Sequence, residues 1–372
     1  MASPEWTDEP SLRWKPWSDH VRQECLAARD AAVLLDQSMY AKILVQGRDA
    51  SRALNHVCGA QMDVEIGTSV YTQFLNAKGG IEADVTLTRT APQAFLVVTG
   101  HPSQMRDQYW IKLHADPSWQ FEIFDATSAY SLLTLHGPRS RDILQSLSSD
   151  DVSNAAFPFG AARELDVAHA RGWVIRRSFL GELGFEMIFP TEFTQSVYEA
   201  LIEVGAPGGM HHMGMFAMNA CRIEKGFRHF GHDIGEDDTP YEAGLSFAVK
   251  LDKPERFLGK DRLIRQKAEE APAYKHRLVS IKVPELTAEA GPYLIHNEPI
   301  WKGGAIVGHV TSGDWGFRLG AMVGLAAIEK DSGVTKAWIE DGGFKVQIAG
   351  NMYPIEARLA PFYDPKGEIM RG

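Results

Sequence analysis

Apolar positions recur along the chain at two spacings, and each spacing predicts one kind of secondary structure. A spacing of three to four residues predicts helices over 20–34, 49–57, 102–114, 139–147, 192–204, 215–226 and 260–270. Short β-branched or alternating runs predict strands over 42–45, 70–75, 84–90, 95–99, 132–135, 174–178 and 185–189. This mixture predicts an α+β fold.

A change of pattern near residue 272 predicts a domain boundary. The sequence "EEAPAY" ends the last helical pattern, and from 274 onward short strand-like runs alternate with Gly-rich turns. These runs, among them "KAWIEDGGFKVQIAG" at 336–350, predict a small β-barrel or sandwich. The expected domains are a body over 1–272 and a C-terminal β-barrel over 273–372.

The order strand, glycine, helix occurs twice, about 90 residues apart. The two copies are "ILVQGRDASRALNHV" at 43–57 and "LTLHGPRSRDILQSL" at 133–147. Two copies are too few for a solenoid, so the repeat predicts two related α+β subdomains within the body.

Composition narrows the possible partners and the compartment. The chain has 372 residues and a formal net charge of −10, which disfavours nucleic acid and anionic membrane surfaces. Neither a signal peptide nor an apolar run of the roughly 20 residues that span a bilayer is visible. The three scattered cysteines fit buried thiols in a reducing compartment, and we expect a cytoplasmic protein without a membrane span.

Several common site motifs are missing from the sequence. No GxGxxG or GxxxxGK[ST] follows a strand, which leaves a dinucleotide or P-loop nucleotide site unsupported. His211 and His212 are adjacent, so their side chains point apart, and no Cys/His cluster has zinc spacing. We therefore predict no metal site.

Two acidic residues follow a Lys-Gly-Gly turn in "NAKGGIEADVTLTRT". Because side chains alternate along a strand, Glu82 and Asp84 are expected on one face, opposite Val85. Both carboxylates could simply face water, or one could be a catalytic carboxylate on a rigid strand. Spacing alone leaves both interpretations open.

The sequence "CRIEKGFRHFGHD" concentrates charge near the end of a predicted helix. On that helix Glu224 and Arg228 would be i,i+4 partners, and Arg222 would lie near Lys225. A solvated ion-paired face and a cation cluster beside a cavity fit this pattern equally well.

Taken together, these segments resemble the glycine-cleavage aminomethyltransferase (T-protein) superfamily. They resemble more closely the C-terminal, folate-binding half of sarcosine and dimethylglycine dehydrogenases. The resemblance is collinear over nearly the whole chain, through "LLDQSMYAKILVQG", "LNAKGGIEADVTL", "GELGFEMIFP", "RIEKGFRHFGHDIGEDDTPYEAGLSFAVKLDK", "VGHVTSGDWGFRLG" and "PFYDPKGEIMR". It implies the superfamily's cloverleaf, in which two subdomains form a folate-binding body and a β-barrel follows.

The resemblance also implies roles for individual residues. Asp84 corresponds to the catalytic carboxylate beside the pterin, whereas Glu82 lies where the family varies and is expected to face solvent. Glu186 corresponds to the residue that hydrogen-bonds the pterin amino and ring N–H groups. The other expected folate-binding residues are Tyr71, Phe179, Arg222 and Thr99.

Departures from the family patterns argue against a glycine-cleavage enzyme that serves a lipoyl carrier. Phe179 stands at a position where the family often has Tyr, and Thr99 stands where the aminomethyltransferase has Asn. Met218 and Asn219 occupy the positions at which the motif "GARD" would supply Arg and Asp. Sarcosine-type dehydrogenases carry a flavin domain ahead of this half, and no GxGxxG is present here. A separate flavin oxidase or dehydrogenase subunit is therefore an expected partner.

The implied function is a tetrahydrofolate-dependent one-carbon transferase acting on an N-methylated amine of the sarcosine or dimethylglycine type. A tetrahydrofolate-dependent demethylase of an O- or S-methyl donor is a second hypothesis, because relatives of this kind have the fold without a flavin domain. A non-catalytic folate-binding accessory protein is the third.

Overall fold

The computed structural model describes residues 17–288 and 291–372. The N-terminal stretch that lacks a signal peptide's apolar run lies outside the described residues, except for Trp17. The α-helices are α1 (Ser18–Asp30), α2 (Ala50–Val57), α3 (Gln104–His114), α4 (Ser140–Ser146), α5 (Thr194–Gly205), α6 (Met215–Glu224), α7 (Lys260–Glu270), α8 (Lys336–Glu340) and α9 (Glu368–Arg371).

The strands form three separate sheets. They are β1 (Ala32–Asp36), β2 (Ala41–Gln46), β3 (Ser69–Leu75), β4 (Ile81–Ala91), β5 (Ala94–Thr99), β6 (Glu122–Asp125), β7 (Tyr130–His136), β8 (Ala162–Val167), β9 (Ala170–Ile175), β10 (Gly184–Pro190), β11 (Met210–His212), β12 (His276–Val283), β13 (Pro299–Lys302), β14 (Ala305–Gly316), β15 (Ala321–Glu329), β16 (Phe344–Ile348), β17 (Asn351–Pro354) and β18 (Glu356–Arg358).

The first sheet is antiparallel and has the order β3-β4-β5-β2-β6. One face carries apolar side chains such as Ile43, Val85 and Val97, which pack against α2 and α3. Alternation along each strand leaves the opposite face of this sheet free to meet another layer.

The second sheet has the order β11-β1-β7-β10-β9-β8 and is antiparallel except where β1 pairs with β11. Its outer face packs Leu135 and Phe185 against the residues of α4 and α5. Part of its inner face packs against α1 and α6 through Val33 and Leu35.

The inner faces of these two sheets meet directly. Leu96 of the first sheet and Leu132, Ile175 and Ile188 of the second belong to one buried cluster. Each sheet thus has helices on its outer face and the other sheet on its inner face. Inner-face side chains of β4 and β10 are directed towards the other sheet where the two sheets overlap.

The two copies of the strand–glycine–helix pattern occupy equivalent places. Strand β2 leads through Gly47 into α2, and β7 leads through Gly137 into α4. Both glycines have positive φ, 138° and 113°, and a Cβ on either would lie within 2.6 Å of a backbone oxygen. The predicted α+β class with two related subdomains is therefore confirmed.

The third sheet forms the C-terminal domain. Its antiparallel strands, in the order β17-β16-β13-β14-β15-β12-β18, enclose a core that includes Val279, Ile300 and Val346. The sheet is a curled half-barrel and begins at His276. The exact boundary at 272/273 stays a prediction.

Two predicted elements were wrong. The helix expected over 20–34 ends at Asp30, because Ala32–Asp36 forms a strand between β7 and β11. The prediction failed because a short apolar run fits a strand as well as a helix. The segment 336–340, expected as strand, is helix α8, and the Thr335 hydroxyl caps it by accepting from the Trp338 N–H at 3.1 Å.

None of the described helices combines the length and apolar character that crossing a membrane requires.

The close approach at Gly137 predicts a stability difference that can be measured. Gly137→Ala forces a Cβ to 2.6 Å from the Ala31 carbonyl oxygen, and we expect the free energy of unfolding to fall by about 2 kcal/mol or more. The control is Gly342→Ala, where φ is also positive but no atom lies within 4 Å, and about 1 kcal/mol is expected. Equal losses in urea denaturation would contradict the steric account.

Candidate functional site

Asp84 lies on the inner face of β4, as the alternation of its strand predicts. Ala83 and Val85 are buried in the core on the helix side, and Asp84 is partly exposed on the side of the second sheet. Burial nevertheless raises the pKa of Asp84 to about 6, although hydrogen bonds and two arginines favour its ionised form. Such a carboxylate can exchange a proton near neutral pH.

Two residues of the neighbouring strand β3 hold this carboxylate. Gln73, opposite Asp84 in the register, donates from Nε2 to Asp84 Oδ1 at 2.8 Å. The Tyr71 hydroxyl also stabilises the ionised Asp84 by hydrogen bonding, and burial followed by the Asp84 charge raises the pKa of Tyr71. Gln73 is buried, and its Oε1 accepts from no group among the described residues.

Glu186 faces Asp84's sheet from the second subdomain. It lies on β10 between Phe185 and Met187, which point into the outer core, so its own side chain is on the inner face. Burial raises the pKa of Glu186, and the Arg177 guanidinium opposes that shift. Burial and the charge of Glu186 in turn raise the pKa of Tyr40.

Two arginines complete this group of charges. Arg177 follows β9 and donates from Nη2 to the Ser69 carbonyl at 2.9 Å. Arg228 donates from Nε to the Ala243 carbonyl at 2.9 Å and from Nη1 to the Gly226 carbonyl at 2.7 Å. Burial lowers the pKa of both guanidinium groups, and the charge of Asp84 opposes the shift in each case.

These four charges do not neutralise one another by direct contact. In the described part of the chain, no carboxylate oxygen lies within 4 Å of a guanidinium nitrogen of Arg177 or Arg228. Desolvated charges without partners are unfavourable, since their hydration has been lost without a full replacement. We call Asp84, Glu186, Arg177 and Arg228 the inter-sheet charge group; a polar ligand could supply the direct partners that its members do not give one another.

Aromatic rings border this group. Phe247 is 64 % exposed and stacks on Tyr71 with 6.1 Å between ring centroids. Phe179 stacks on Phe227 with 6.0 Å between ring centroids, and Phe227 immediately precedes Arg228 in the chain. An exposed ring such as that of Phe247 can pack on a flat heterocycle.

Arg222 and Thr99 are engaged elsewhere. Arg222 is 3 % exposed and donates to Asp233 at 2.5 Å and to Ser312 Oγ at 2.8 Å, which joins α6 to the third sheet. Thr99 lies on the helix-facing side of β5 and donates to Asp107 at 2.5 Å. The structure brings Tyr71 to Asp84 and places Arg177 where the charges of Asp84 and Glu186 both act on it. It brings neither Arg222 nor Thr99 to this group.

Two expectations about neighbouring charges were wrong. Glu82 does not face solvent: its side chain is 13 % exposed, accepts from Asn76 at 2.9 Å and forms an ion pair with Arg106. Glu224 does not pair with Arg228, because α6 ends at Glu224 and that carboxylate binds Arg29 at 2.8 Å instead.

No metal centre and no disulfide enter this site. Among the described residues, no three His, Cys, Asp or Glu side chains are grouped so as to hold a metal ion. His212 contacts the Tyr198 hydroxyl through Nε2 at 2.7 Å. All three cysteines are buried and free, as expected.

A cavity of about 780 Å³ lies away from the inter-sheet charge group. Gln37, Leu133, Tyr198 and His212 are among its lining residues. None of the charges whose hydration is lost between the sheets lines this cavity. We place the candidate site at the charge group for that reason, because perturbed ionisable groups concentrate at functional sites.

Family comparisons agree with the architecture. The GCVT N-terminal domain model matches residues 1–253, and the glycine cleavage T-protein C-terminal barrel domain model matches 277–364. The chain belongs to the glycine-cleavage T-protein family. The family resemblance inferred from the sequence is thereby confirmed.

Curated relatives include longer proteins. The 4-methylaminobutanoate oxidase (formaldehyde-forming) of Paenarthrobacter nicotinovorans is 39% identical over 96% of this chain and 42% of its own length. Human mitochondrial sarcosine dehydrogenase is 33% identical over 98% of this chain and 41% of its length. The chain thus spans about two fifths of each of these relatives.

Two further T-protein relatives match nearly end to end. An aminomethyltransferase of Listeria monocytogenes is 31% identical over 92% of this chain and 88% of its own length. The crystal structure of the glycine cleavage system aminomethyltransferase T from Bartonella henselae superposes with a TM-score of 0.79, at 24% identity, over 93% of this chain and 90% of that chain. The latter comparison establishes the fold.

Sequence reasoning missed Gln73, Tyr40, Arg177, Arg228 and Phe247 as members of the site. Gln73 could have been found, because it stands opposite Asp84 in a hairpin whose turn was recognised. The two arginines come from segments about 50 residues apart, and only the folded chain shows that both approach Asp84.

The electrostatics of Asp84 predict a titration that NMR can follow. Its carboxyl carbon should titrate with a pKa near 6, because burial disfavours the ionised form. Arg228→Met should raise this pKa further, since a nearby cation is lost. Arg171→Met, on an exposed residue of β9, should leave it unchanged. A wild-type midpoint near 4 would contradict the proposed burial.

Proposed function

We propose that this chain is a tetrahydrofolate-dependent one-carbon transferase that takes its one-carbon unit from an N-methylated amine. The observation that carries the proposal is the partly exposed, incompletely paired Asp84 carboxylate, held by Gln73 and Tyr71 between the two sheets. Its raised pKa and its position beside the stacked rings of Tyr71 and Phe247 suit a group that handles protons on a bound heterocycle.

The residues present fit a pterin. A reduced pterin offers a flat ring with several N–H donors, and the site supplies matching acceptors in Glu186 and the unpaired Gln73 Oε1. Tyr71 and Phe247 offer ring faces beside them. Tetrahydrofolate, when bound, supplies the N5 and N10 amines that accept the one-carbon unit.

Asp84 is the residue for proton handling in this proposal. Its Oδ1 accepts from Gln73, which fixes the carboxylate plane, and the group can hold a proton or release it near neutral pH. In its ionised form it also stabilises positive charge on a donor that approaches as an iminium or ammonium group. Catalysis therefore uses one carboxylate as both base and counter-charge.

The donor class follows from the relatives and from the charge of the site. The names of two relatives specify methylamino substrates, 4-methylaminobutanoate and sarcosine. A methylated amine brings positive charge, which Asp84 would stabilise. We propose that a flavin-dependent oxidase or dehydrogenase generates the reactive donor for this site.

A demethylase of O- or S-methyl donors would use the same pocket and yield 5-methyl-tetrahydrofolate rather than the 5,10-methylene product. Product mass separates the two reactions. Formation of the 5-methyl product by purified protein without an oxidase would replace the main proposal with this one.

Binding is the first experimental test, and Glu186 provides its matched variant. Calorimetry should show tetrahydrofolate binding to the wild type well below millimolar concentration. Glu186→Gln should weaken binding about tenfold to a hundredfold, because a charged acceptor of N–H donors becomes neutral. No binding to the wild type, with or without polyglutamate tails, would contradict the proposed function.

Asp84→Asn tests catalysis separately from binding. It preserves the shape of the side chain and removes its charge, so turnover should fall by roughly 10²–10⁴-fold while folate affinity changes far less. Glu82→Gln, on the same face of the same strand, keeps an acceptor for Asn76 and should leave turnover within about threefold. Equal losses in the two variants would indicate a shared electrostatic effect rather than a catalytic role for Asp84.

A further inference from the structure

Arg177 lies close enough to Glu186 to interact with its charge, but the two side chains do not form an ion pair. In the register of the second sheet Ile175 pairs with Glu186, and Ile175 belongs to the inter-sheet cluster. Arg177 follows two positions later, just beyond the end of β9, and the charge of Glu186 acts on it more strongly than that of Asp84. Yet no Glu186 oxygen lies within hydrogen-bond reach of the guanidinium in the described structure.

The hydrogen bonds of Arg177 leave donors available. Its Nη2 donates to the Ser69 carbonyl at 2.9 Å and to Ser69 Oγ at 3.2 Å, which holds the guanidinium plane against β3. Its Nε is buried and donates to no group among the described residues. A fixed guanidinium with a buried unpaired donor is suited to binding an acceptor atom in a defined direction.

The pair formed by Glu186 and Arg177 offers acceptors next to a donor. The pyrimidine edge of a 2-amino-4-oxopteridine presents the complementary order: an amino donor, the N3–H donor, and then the C4 oxygen as acceptor. A 2,4-diaminopteridine presents an amino group where the oxygen was, and its N3 carries no hydrogen to donate to Glu186. Two donors would then face each other, and Arg177 would lose its partner.

Building on the proposed function, we propose that Arg177 is a specificity-determining residue that donates to the C4 oxygen of the bound pteridine, while Glu186 accepts from the adjacent N3–H and 2-amino groups. The site then selects 4-oxo over 4-amino pteridines through two charge-assisted hydrogen bonds, one from Arg177 to the C4 oxygen and one from N3–H to Glu186. Selectivity is high because a buried polar group left unpaired is penalised more than a hydrogen bond formed is rewarded.

A carboxylate of the methylated donor is the competing partner for Arg177, and the site disfavours it. An anion at Arg177 would lie next to the Glu186 carboxylate, and this repulsion acts in a poorly hydrated space. The neutral C4 oxygen accepts the same hydrogen bond without that repulsion. The C4 oxygen of the pteridine is therefore a better partner than a carboxylate for Arg177, because Glu186 lies beside Arg177.

The test compares the affinities of two ligands in anaerobic calorimetry, tetrahydrofolate and its 2,4-diamino counterpart, tetrahydroaminopterin. The wild type should prefer the 4-oxo ligand by more than about 10-fold, because two hydrogen bonds to charged groups differ between the ligands. Arg177→Met should lower this ratio by about 10-fold or more, chiefly by weakening tetrahydrofolate binding, and the preference that remains reflects the N3–H bond to Glu186. Arg177→Gln, which keeps a neutral donor, should give an intermediate ratio and provides a second variant if the methionine protein does not fold.

The control is Arg171→Met, which removes an exposed arginine from β9 and should preserve the wild-type ratio. An unchanged ratio in Arg177→Met would overturn the proposal, and a raised KM for a carboxylate-bearing donor in the same variant would assign Arg177 to that donor instead. Failure of the wild type to bind either ligand would contradict the proposed function itself, so the two failures are distinguishable.

Discussion

The structure depends on one constraint: charges are held between two packed sheets without being paired to one another. The apolar part of the contact, which includes Leu96, Leu132 and Ile188, fixes how the inner faces meet. The polar part of the same faces then places Asp84 and Glu186 where both act on the charge of Arg177. A charge loses hydration in such a place unless a partner replaces the water, and a ligand can be that partner.

Rigid connections keep this unfavourable arrangement in place. Arg29, on α1, forms buried ion pairs with Glu182 at 3.0 Å and with Glu224 at 2.8 Å, which tie two segments of the body together. Arg222 and Asp233 join α6 to the loop that carries Arg228. These charges contact their counter-charges directly, in contrast to the inter-sheet charge group. The chain therefore separates charges that stabilise the fold from charges that are available to a ligand.

The part of the fold determined by local pattern could be predicted from the sequence. The helix at Lys260–Glu270 and the repeat of strand, glycine and helix follow from residue spacing and from glycine. Strand β1 was missed, because a run of buried apolar residues between two strands has no periodicity that separates it from a helix. The strand-to-helix error at α8 has a local origin, since Thr335 caps a single turn too short to show a helical period.

The site was predictable in part, for a similar reason. Asp84 and Glu186 could be named because each stands in a recognisable segment. The exposure of Glu82 was predicted wrongly, because its partner Arg106 comes from a helix more than 20 residues away. Arg177 and Arg228 approach the site only after the two sheets have packed. Pairings of this kind depend on tertiary contacts, which spacing along one strand does not encode.

The central claim is that the ligand site lies between the sheets at the inter-sheet charge group, and a crystal structure of the protein with tetrahydrofolate tests it most directly. The account predicts electron density for the pterin between Glu186 and Asp84, with a ring face against Tyr71. Density for the pterin in the cavity lined by Gln37, Tyr198 and His212, with the space between the sheets holding only water, would contradict it.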